Sequence, residues 1–264
     1  MSSIIPAARL DRIRMLVDER GIVTVRDLGE ELGVSGMTVR RDLELLERSG
    51  VLQRTRGGAL STRRSAIDRP YDERRGLATD AKDRIGRLAA SLVEEGDSIF
   101  LSSGTTSLAV ARHLIGRKRI TIVTNSVQAL ALLAEDEGLT VISTGGRANR
   151  DGGHLSGTLA EHALSQFRVR RAFIGASGIT REGVTNSSLD RASIDRLMVD
   201  GASEVFIVAD HSKFEQVSLA VVAALDQVTG IVTDEDIDEA DHAWLVELGV
   251  SLHVANERAE RAGG

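Results

Sequence analysis

The chain contains no cysteine, which excludes disulfides, thiolate nucleophiles and thiolate metal sites. Aromatic residues make up only 3% of it, so a core must be built from Leu, Val, Ile and Ala. No apolar run reaches the length that spans a bilayer, and no signal-peptide pattern precedes the first helical stretch. These absences predict a soluble cytoplasmic protein with no membrane partner. The histidines show no metal spacing: His154 and His162 lie eight residues apart without a supporting carboxylate pattern. No Gly-Lys-Ser/Thr word marks a Walker A loop. Asp234–Glu239 is an acidic run without the glycine and spacing of a calcium loop, and reads as a solvated turn and helix start. No metal and no cofactor is expected.

What is present is unevenly charged. The formal net charge is −6 over 264 residues. Residues 1–75 nevertheless carry 15 arginines against 12 acids and no lysine. Arginine is the better bidentate partner for phosphate and guanine. The acidic remainder should avoid a polyanion, leaving the N-terminal part as the contact surface.

That part is organised around Val23–Asp42, VTVRDLGEELGVSGMTVRRD. Thr24 can cap a first helix, with Asp27 three residues on. Val25, Leu28 and Leu32 recur at helical spacing, and Gly33 suits a helix end. Ser35 caps a second helix, in which Val39, Leu43 and Leu46 face inward. Thr38, Arg40, Arg41 and Glu44 are left outward. A short helix that packs by one stripe and presents polar groups from its first turns fits a major groove. Upstream, Pro6 opens a helix whose stripe is Ala7, Leu10, Ile13, Leu16 and Val17. Downstream, Val51–Arg56 alternates like a strand before the Gly57-Gly58 turn. Three helices and a basic two-stranded ribbon describe a small winged helix-turn-helix over residues 6–61, with the helix-turn-helix at 23–42. Double-stranded operator DNA is the expected partner. Thr24, Ser35, Thr38, Arg40 and Arg41 are its expected contacts, with Arg54 and Arg56 on the wing.

The pattern VS…TVRRDL…LE…G…R…GGA spans some fifty residues. It resembles the N-terminal domain of the DeoR family of bacterial transcriptional regulators. Residues 62–79, rich in Arg, Ser and Asp and containing Pro70, read as a linker in which Tyr71 and Ile67 can dock. Asp72-Glu73-Arg74 stands where the family has an acidic-arginine signature.

From about residue 80 to 256, helical patterns alternate with short apolar strands, near 98–101, 119–124, 139–143, 172–176, 205–209 and 230–233. Strands apolar throughout are covered on both faces. The expected fold is an α/β domain with a largely parallel sheet, and ligands at the carboxyl ends of its strands. Ser102-Ser103-Gly104-Thr105-Thr106 lies between a strand and a helix, where hydroxyls and helix N-terminal amides can cradle an anion. Thr124-Asn125-Ser126, Gly145-Gly146-Arg147 and Asp210-His211-Ser212-Lys213 follow other strands. Together they offer phosphate donors, among them Ser103, Arg147 and Lys213, and hydroxyl partners. No aromatic residue is there to stack a base. A phosphorylated sugar or polyol fits that inventory. Arg168–Arg171 precedes a strand and reads as a solvated loop, and Trp244 reads as core.

These stretches also resemble the DeoR effector domain, which is similar to ribose-5-phosphate isomerase and glucosamine-6-phosphate deaminase. The resemblance implies that Gly104, Thr105 and Thr106 hold the phosphate, with Asn125, Gly146, Asp210 and Lys213 lining the pocket. RDGGHLSG, QFRVRRAFIGASGI and VADHSKF look most like the glycerol-3-phosphate regulon repressor branch, although related sugar-phosphate branches carry similar words. There are two departures. Ser102 stands where the family often has Asp. Arg191-Ala192-Ser193-Ile194-Asp195-Arg196 stands for its Glu-Ala…Lys-Arg word, so Asp195 replaces a lysine.

The resulting expectation is a regulator, most readily a repressor of a carbohydrate or polyol catabolism operon, released by a phosphorylated metabolite. It would act as a homo-oligomer, dimer or tetramer, on repeated half-sites. The alternative is a sugar-phosphate isomerase with a DNA-binding arm, using Lys213 and Asp210 as acid and base. No second carboxylate or histidine supports it.

Overall fold

The computed structural model describes residues 6–20, 22–48, 52–54, 57–61, 71–149 and 153–256. The chain divides into two compact units, Met1–Asp68 and Arg69–Gly264.

The first unit is a three-helix core with a small sheet. Helix α1 (Pro6–Arg20) begins at a proline, whose missing N–H costs nothing at a first helical position. Strand β1 (Ile22–Thr24), α2 (Val25–Leu32), α3 (Gly36–Arg48), β2 (Leu52–Arg54) and β3 (Gly58–Ser61) follow. Thr24 Oγ1 accepts from the Asp27 amide at 3.1 Å and caps α2. The Ser35 hydroxyl accepts from the Thr38 amide at 3.3 Å at the start of α3. Ile13, Leu16 and Val17 of α1 close on Leu28 and Leu32 of α2 and on Val39, Leu43 and Leu46 of α3, with Leu52 and Ala59 beneath. The sheet is antiparallel in the order β1–β3–β2. It thus has three strands where the sequence predicts a ribbon of two. Strand β1 is only 3 residues long, too short to show alternation.

The second unit opens with α4 (Tyr71–Gly76) and α5 (Thr79–Ser91). Part of the stretch read as linker, Tyr71–Gly76, is therefore helical. Strand β4 (Ser98–Leu101), α6 (Thr105–Leu114), β5 (Ile120–Thr124), α7 (Val127–Leu133) and β6 (Leu139–Ser143) build one half of a sheet. A hairpin, β7 (Arg147–Asn149) and β8 (His154–Ser156), leads into α8 (Thr158–Ser165). Then β9 (Val169–Gly175) returns beside β4. Two short strands, β10 (Gly178–Thr180) and β11 (Gly183–Asn186), precede α9 (Leu189–Asp200) and β12 (Ala202–Val208). A 3-10 turn, His211–Lys213, is followed by β13 (Ala220–Ala223), β14 (Gly230–Asp234), α10 (Glu239–Glu247) and β15 (Ser251–Ala255).

The main sheet has seven strands in the order β15–β14–β12–β9–β4–β5–β6, and every neighbouring pair is parallel. Its strands are apolar because both faces are covered. Ile85, Leu108, Leu114 and Leu133 of α5, α6 and α7 pack with Ile99, Ile122 and Phe173. Leu164, Ile194, Met198 and Trp244 of α8, α9 and α10 pack with Phe100, Val205 and Ile207. Two of the few aromatics sit on the central strands: Phe173 stacks on Phe206 with centroids 5.6 Å apart.

Strand order reverses between β4 and β9. The chain lays β4, β5 and β6 outward in one direction, then β9, β12, β14 and β15 in the other. Such a switch point leaves a crevice beyond the carboxyl ends of the two strands.

The opposite, amino edge of these strands is tied by charge. Arg171 in β9 is buried, ion-paired to buried Asp97 and, at 2.6 Å, to Glu204. Arg170 bridges Glu94 at 2.9 Å and Asp97 at 3.0 Å. Arg168–Arg171 is thus not a solvated loop, since β9 begins at Val169. The acids that draw these arginines inward come from distant sequence, so no local pattern announces them.

Candidate functional site

The first site is the outward face of α3. Arg40 and Arg41 are exposed, and among the described residues neither makes a hydrogen bond or ion pair. Thr38 is half-buried, its hydroxyl 3.0 Å from that of Ser35. Thr24 and Ser35 hold helix starts with their hydroxyls, so their first duty is local. Arg40 lines a shallow hollow with Thr24, Arg26 and Gly36. On the wing, the Arg54 amide donates to Glu47 at 2.9 Å and its guanidinium lies 4.0 Å from the same carboxylate. Arg56 lies outside the described residues.

The acid that follows the two arginines is structural. Asp42 is buried and accepts from Arg9 of α1, Nε at 2.6 Å and Nη2 at 3.2 Å. This two-point pair fixes the rotation of α3 about its axis, turning Arg40 and Arg41 outward. Asp42→Asn should cost about 2 kcal/mol, because an amide N–H then faces the guanidinium donors in a nearly dry site. Urea denaturation of the full chain would read this. An unchanged midpoint for the N-terminal transition would contradict it.

The second site is the carboxyl edge of the parallel sheet. Gly104 has φ +147, a conformation open to glycine and strained for side chains. It lets the chain turn directly from β4 into α6. The helix starts there without a side-chain cap, so its first amides face the loop. Ser103 and Thr106 are buried, and Thr105 is half-buried at the rim. Ser102 lies under the loop, its Oγ accepting from the Gly175 amide at 3.1 Å.

At the end of β5, Asn125 is fully buried and donates to the Leu155 carbonyl at 3.3 Å, which ties β8 over the edge. Gly146 is exposed, with φ +103. A Cβ there would lie 2.6 Å from the Ser156 carbonyl oxygen. This glycine serves the close approach of the hairpin. Arg147 is exposed and paired with Asp190 at 2.9 Å, so among the expected ligand contacts it points to a different partner.

Beyond β12, Asp210 is buried, accepting from the Ser212 amide at 3.1 Å. Burial works against its charge, yet Lys213, the Ser212 donors and Lys82 hold its carboxyl below the usual range. Lys82 was not visible from sequence as a site residue. It is buried on α5 and donates to the Arg74 and Leu77 carbonyls, both at 2.7 Å. Burial lowers its pKa to about 8, against the pull of Asp210. His211 donates its amide to Asp234 at 2.7 Å and places Nδ1 2.6 Å from the same carboxylate. Burial lowers the imidazole pKa, but the Asp234 contact outweighs it, and the net shift is upward. Asp234 is fully buried, so the acidic run does not begin as a solvated turn. Its first carboxylate orders the loop after β12.

Behind these loops lies α9. Asp195 is fully buried, and its Oδ2 accepts from Asn186 at 2.9 Å. Burial pushes its carboxyl up to about 7, opposed by Arg191, Asn186 and Arg196. Among the described residues, four of the buried side-chain atoms without a hydrogen-bond partner are Ser103 Oγ, Asn125 Oδ1, Ser156 Oγ and Asp195 Oδ1. Buried polar atoms are normally satisfied, and a group of exceptions calls for an external partner. These four come from the β4 loop, the β5 loop, β8 and α9.

A winged helix-turn-helix and an α/β unit with a polar crevice define a ligand-responsive, DNA-binding regulator. Residues 9–65 match the DeoR-like helix-turn-helix domain and residues 77–235 the DeoR C terminal sensor domain. The chain belongs to the DeoR family of transcriptional regulators. It is 33% identical to the lactose phosphotransferase system repressor of Lactococcus lactis, over 87% of this chain and 91% of that protein. It is 31% identical to the glycerol-3-phosphate regulon repressor of Haemophilus influenzae, over 94% of this chain and 96% of that one. Those two branches are thus about equally similar. Ribose 5-phosphate isomerase A from Methanocaldococcus jannaschii aligns with 52% of this chain and 55% of its own, at 20% identity and a TM-score of 0.40. Both relatives named are repressors, not enzymes. No helix among the described residues is long and apolar enough to cross a membrane.

Proposed function

We propose that this regulator represses a carbohydrate or polyol catabolism operon in the cytoplasm and leaves its operator when it binds a phosphorylated sugar or polyol. The observation that carries the ligand half is the buried Ser103 hydroxyl in the loop between β4 and α6, which has no hydrogen-bond partner among the described residues. The amides of Thr105 and Thr106 and the Ser103 hydroxyl take the phosphate. Asn125, Asp210 and Lys213 take the hydroxyl-bearing part. Thr38, Arg40 and Arg41 contact the operator, some through bases and some through phosphates. Thr24 and Ser35 set the two helices against the duplex, and Arg54 adds a wing contact once it leaves Glu47.

A single small reader makes few contacts, so a homo-oligomer on repeated half-sites is the working form. Val217, Leu219 and Val221, each more than half exposed, support it as an apolar stripe running into β13. That strand lies at the end of its small sheet, and among the described residues no further strand pairs with it. The ligand favours a subunit arrangement that misaligns the readers, and it must bind that arrangement more tightly, since equal affinity shifts nothing.

Thr105→Val tests the ligand half. It should leave operator binding intact and abolish release by the metabolite, read by gel shift with and without phosphorylated polyols. A variant that still releases DNA at the same concentration removes Thr105 from the phosphate site.

A further inference from the structure

The outward face of α3 carries one side chain that its arginines leave unexplained. Met37, in the first turn, is 80% exposed, and among the described residues no large apolar side chain is more so. A lone exposed apolar residue is ordinary on a surface, so its place decides what it means. At 3.6 residues per turn, Met37 lies about opposite buried Leu46 around the helix axis. On the same count it lies within about 40° of Arg41, Glu44 and Arg48, at the centre of the outward stripe. Gly36, just before it, has no side chain, and a Cβ there would lie 3.3 Å from Val25 Cγ1 of α2. The glycine seats the start of α3 against α2 and leaves Met37 as the first side chain of the helix to project.

The polar neighbours of Met37 are already committed. Thr38 is half-buried, with its hydroxyl 3.0 Å from that of Ser35. Glu44 is paired with Arg48 at 2.6 Å, one turn along. That pair neutralises the far end of the stripe, so the charge beside Met37 is that of exposed Arg40 and Arg41. Such a surface is drawn to a polyanion, and the first turns of a recognition helix are the part that meets base edges. In the major groove, hydrogen-bonding groups suit arginine, and the apolar feature is the C5-methyl group of thymine. A thioether gains nothing from a phosphate. It is unbranched and adaptable, and it gains by covering a methyl group.

We propose that Met37 reads the C5-methyl group of a thymine in the major groove of each half-site, fixing a base that the two arginines do not specify. The proposal rests on the reading of α3 as the recognition helix. It adds an apolar discriminator to a contact surface that is otherwise charged. Burying one methyl group is worth about 4-fold in affinity, enough to set a preference at one base pair without carrying the binding.

The test starts from duplexes that the full wild-type chain enriches from a random pool. Their thymines are replaced one at a time by deoxyuridine, which keeps every hydrogen-bonding group and lacks only the methyl. Gel shifts should show at least one thymine per half-site whose replacement weakens wild type by about 3- to 5-fold. Met37→Ala should bind the unmodified duplex more weakly by about that factor and be indifferent to that replacement, because each change then removes the same contact. Met37→Leu, still apolar, should keep a thymine preference of about 2-fold or more. Should no deoxyuridine weaken wild type, or should Met37→Ala respond to each as wild type does, the methionine assignment is overturned and α3 still stands as the reader. A change in the sedimentation of free Met37→Ala, with its response to deoxyuridine intact, would place Met37 against a second copy instead and overturn the assignment too. Should wild type enrich no sequence at all, the recognition-helix reading itself falls.

Discussion

Replacing Asp195 with asparagine should flatten the pH dependence of stability between about pH 4 and pH 8. The carboxyl is fully buried, and its folded pKa is near 7 against 3.8 for the free group. Between those values the folded protein holds a proton that the unfolded chain has released. Stability from this group is therefore fully present below about pH 4 and is lost as pH rises through 7. The difference amounts to on the order of 4 kcal/mol. Asparagine imitates the protonated acid, and the attraction of Arg191 for the ionised carboxylate is already contained in the folded pKa. The stability of the variant relative to wild type should thus rise by about that amount from pH 4 to pH 8. Urea denaturation of both proteins at pH 4, 6 and 8 would measure it. Parallel curves would mean that Asp195 is charged throughout, or that water reaches it.

The second large effect concerns DNA. Arg40→Ala with Arg41→Ala should weaken operator binding by about 3 kcal/mol, roughly 150-fold, if each side chain makes one contact. Stability should barely change, since both side chains are exposed and unengaged among the described residues. The two single variants separate the roles. Loss of a base contact relaxes sequence preference. Loss of a phosphate contact weakens all sequences alike and lowers the salt slope by about one. Gel shifts at several salt concentrations, on operator and on random duplex, distinguish these. If the double variant binds the operator as wild type does, α3 does not read this DNA.

Legibility from sequence followed the range of the forces involved. Helices α2 and α3 were visible because capping hydroxyls, a turn glycine and an apolar stripe all lie within one or two turns. The parallel strands were visible as apolar runs. Strands β7, β8, β10, β11 and β13 were not, since three or four residues carry no period. Strand β15 was missed as well: Leu252 and Val254 alternate with Ser251 and His253, but a five-residue edge strand at the end of a chain is a weak signal. Thr105 and Thr106 stood out as candidates because a strand-to-helix loop is local. The burial of Arg191 could not be foreseen, because its approach to the Ser103 carbonyl spans 88 residues of sequence. Lys82 and Asp234 were hidden for the same reason. A lysine on a helix and the first acid of a run both read as solvated until the fold buries them.

The hydroxyl of Ser102 has a mechanical consequence. It joins the end of β4 to the amide of Gly175, the last residue of β9, across the line where the two halves of the sheet meet. Parting those strands at that end would break a hydrogen bond between two buried groups. A tug on the loop just ahead of it is therefore felt at once by the strand that leads, through β10 and β11, to the base of α9. A ligand held at one lip of the crevice would therefore pull on the other through continuous strand.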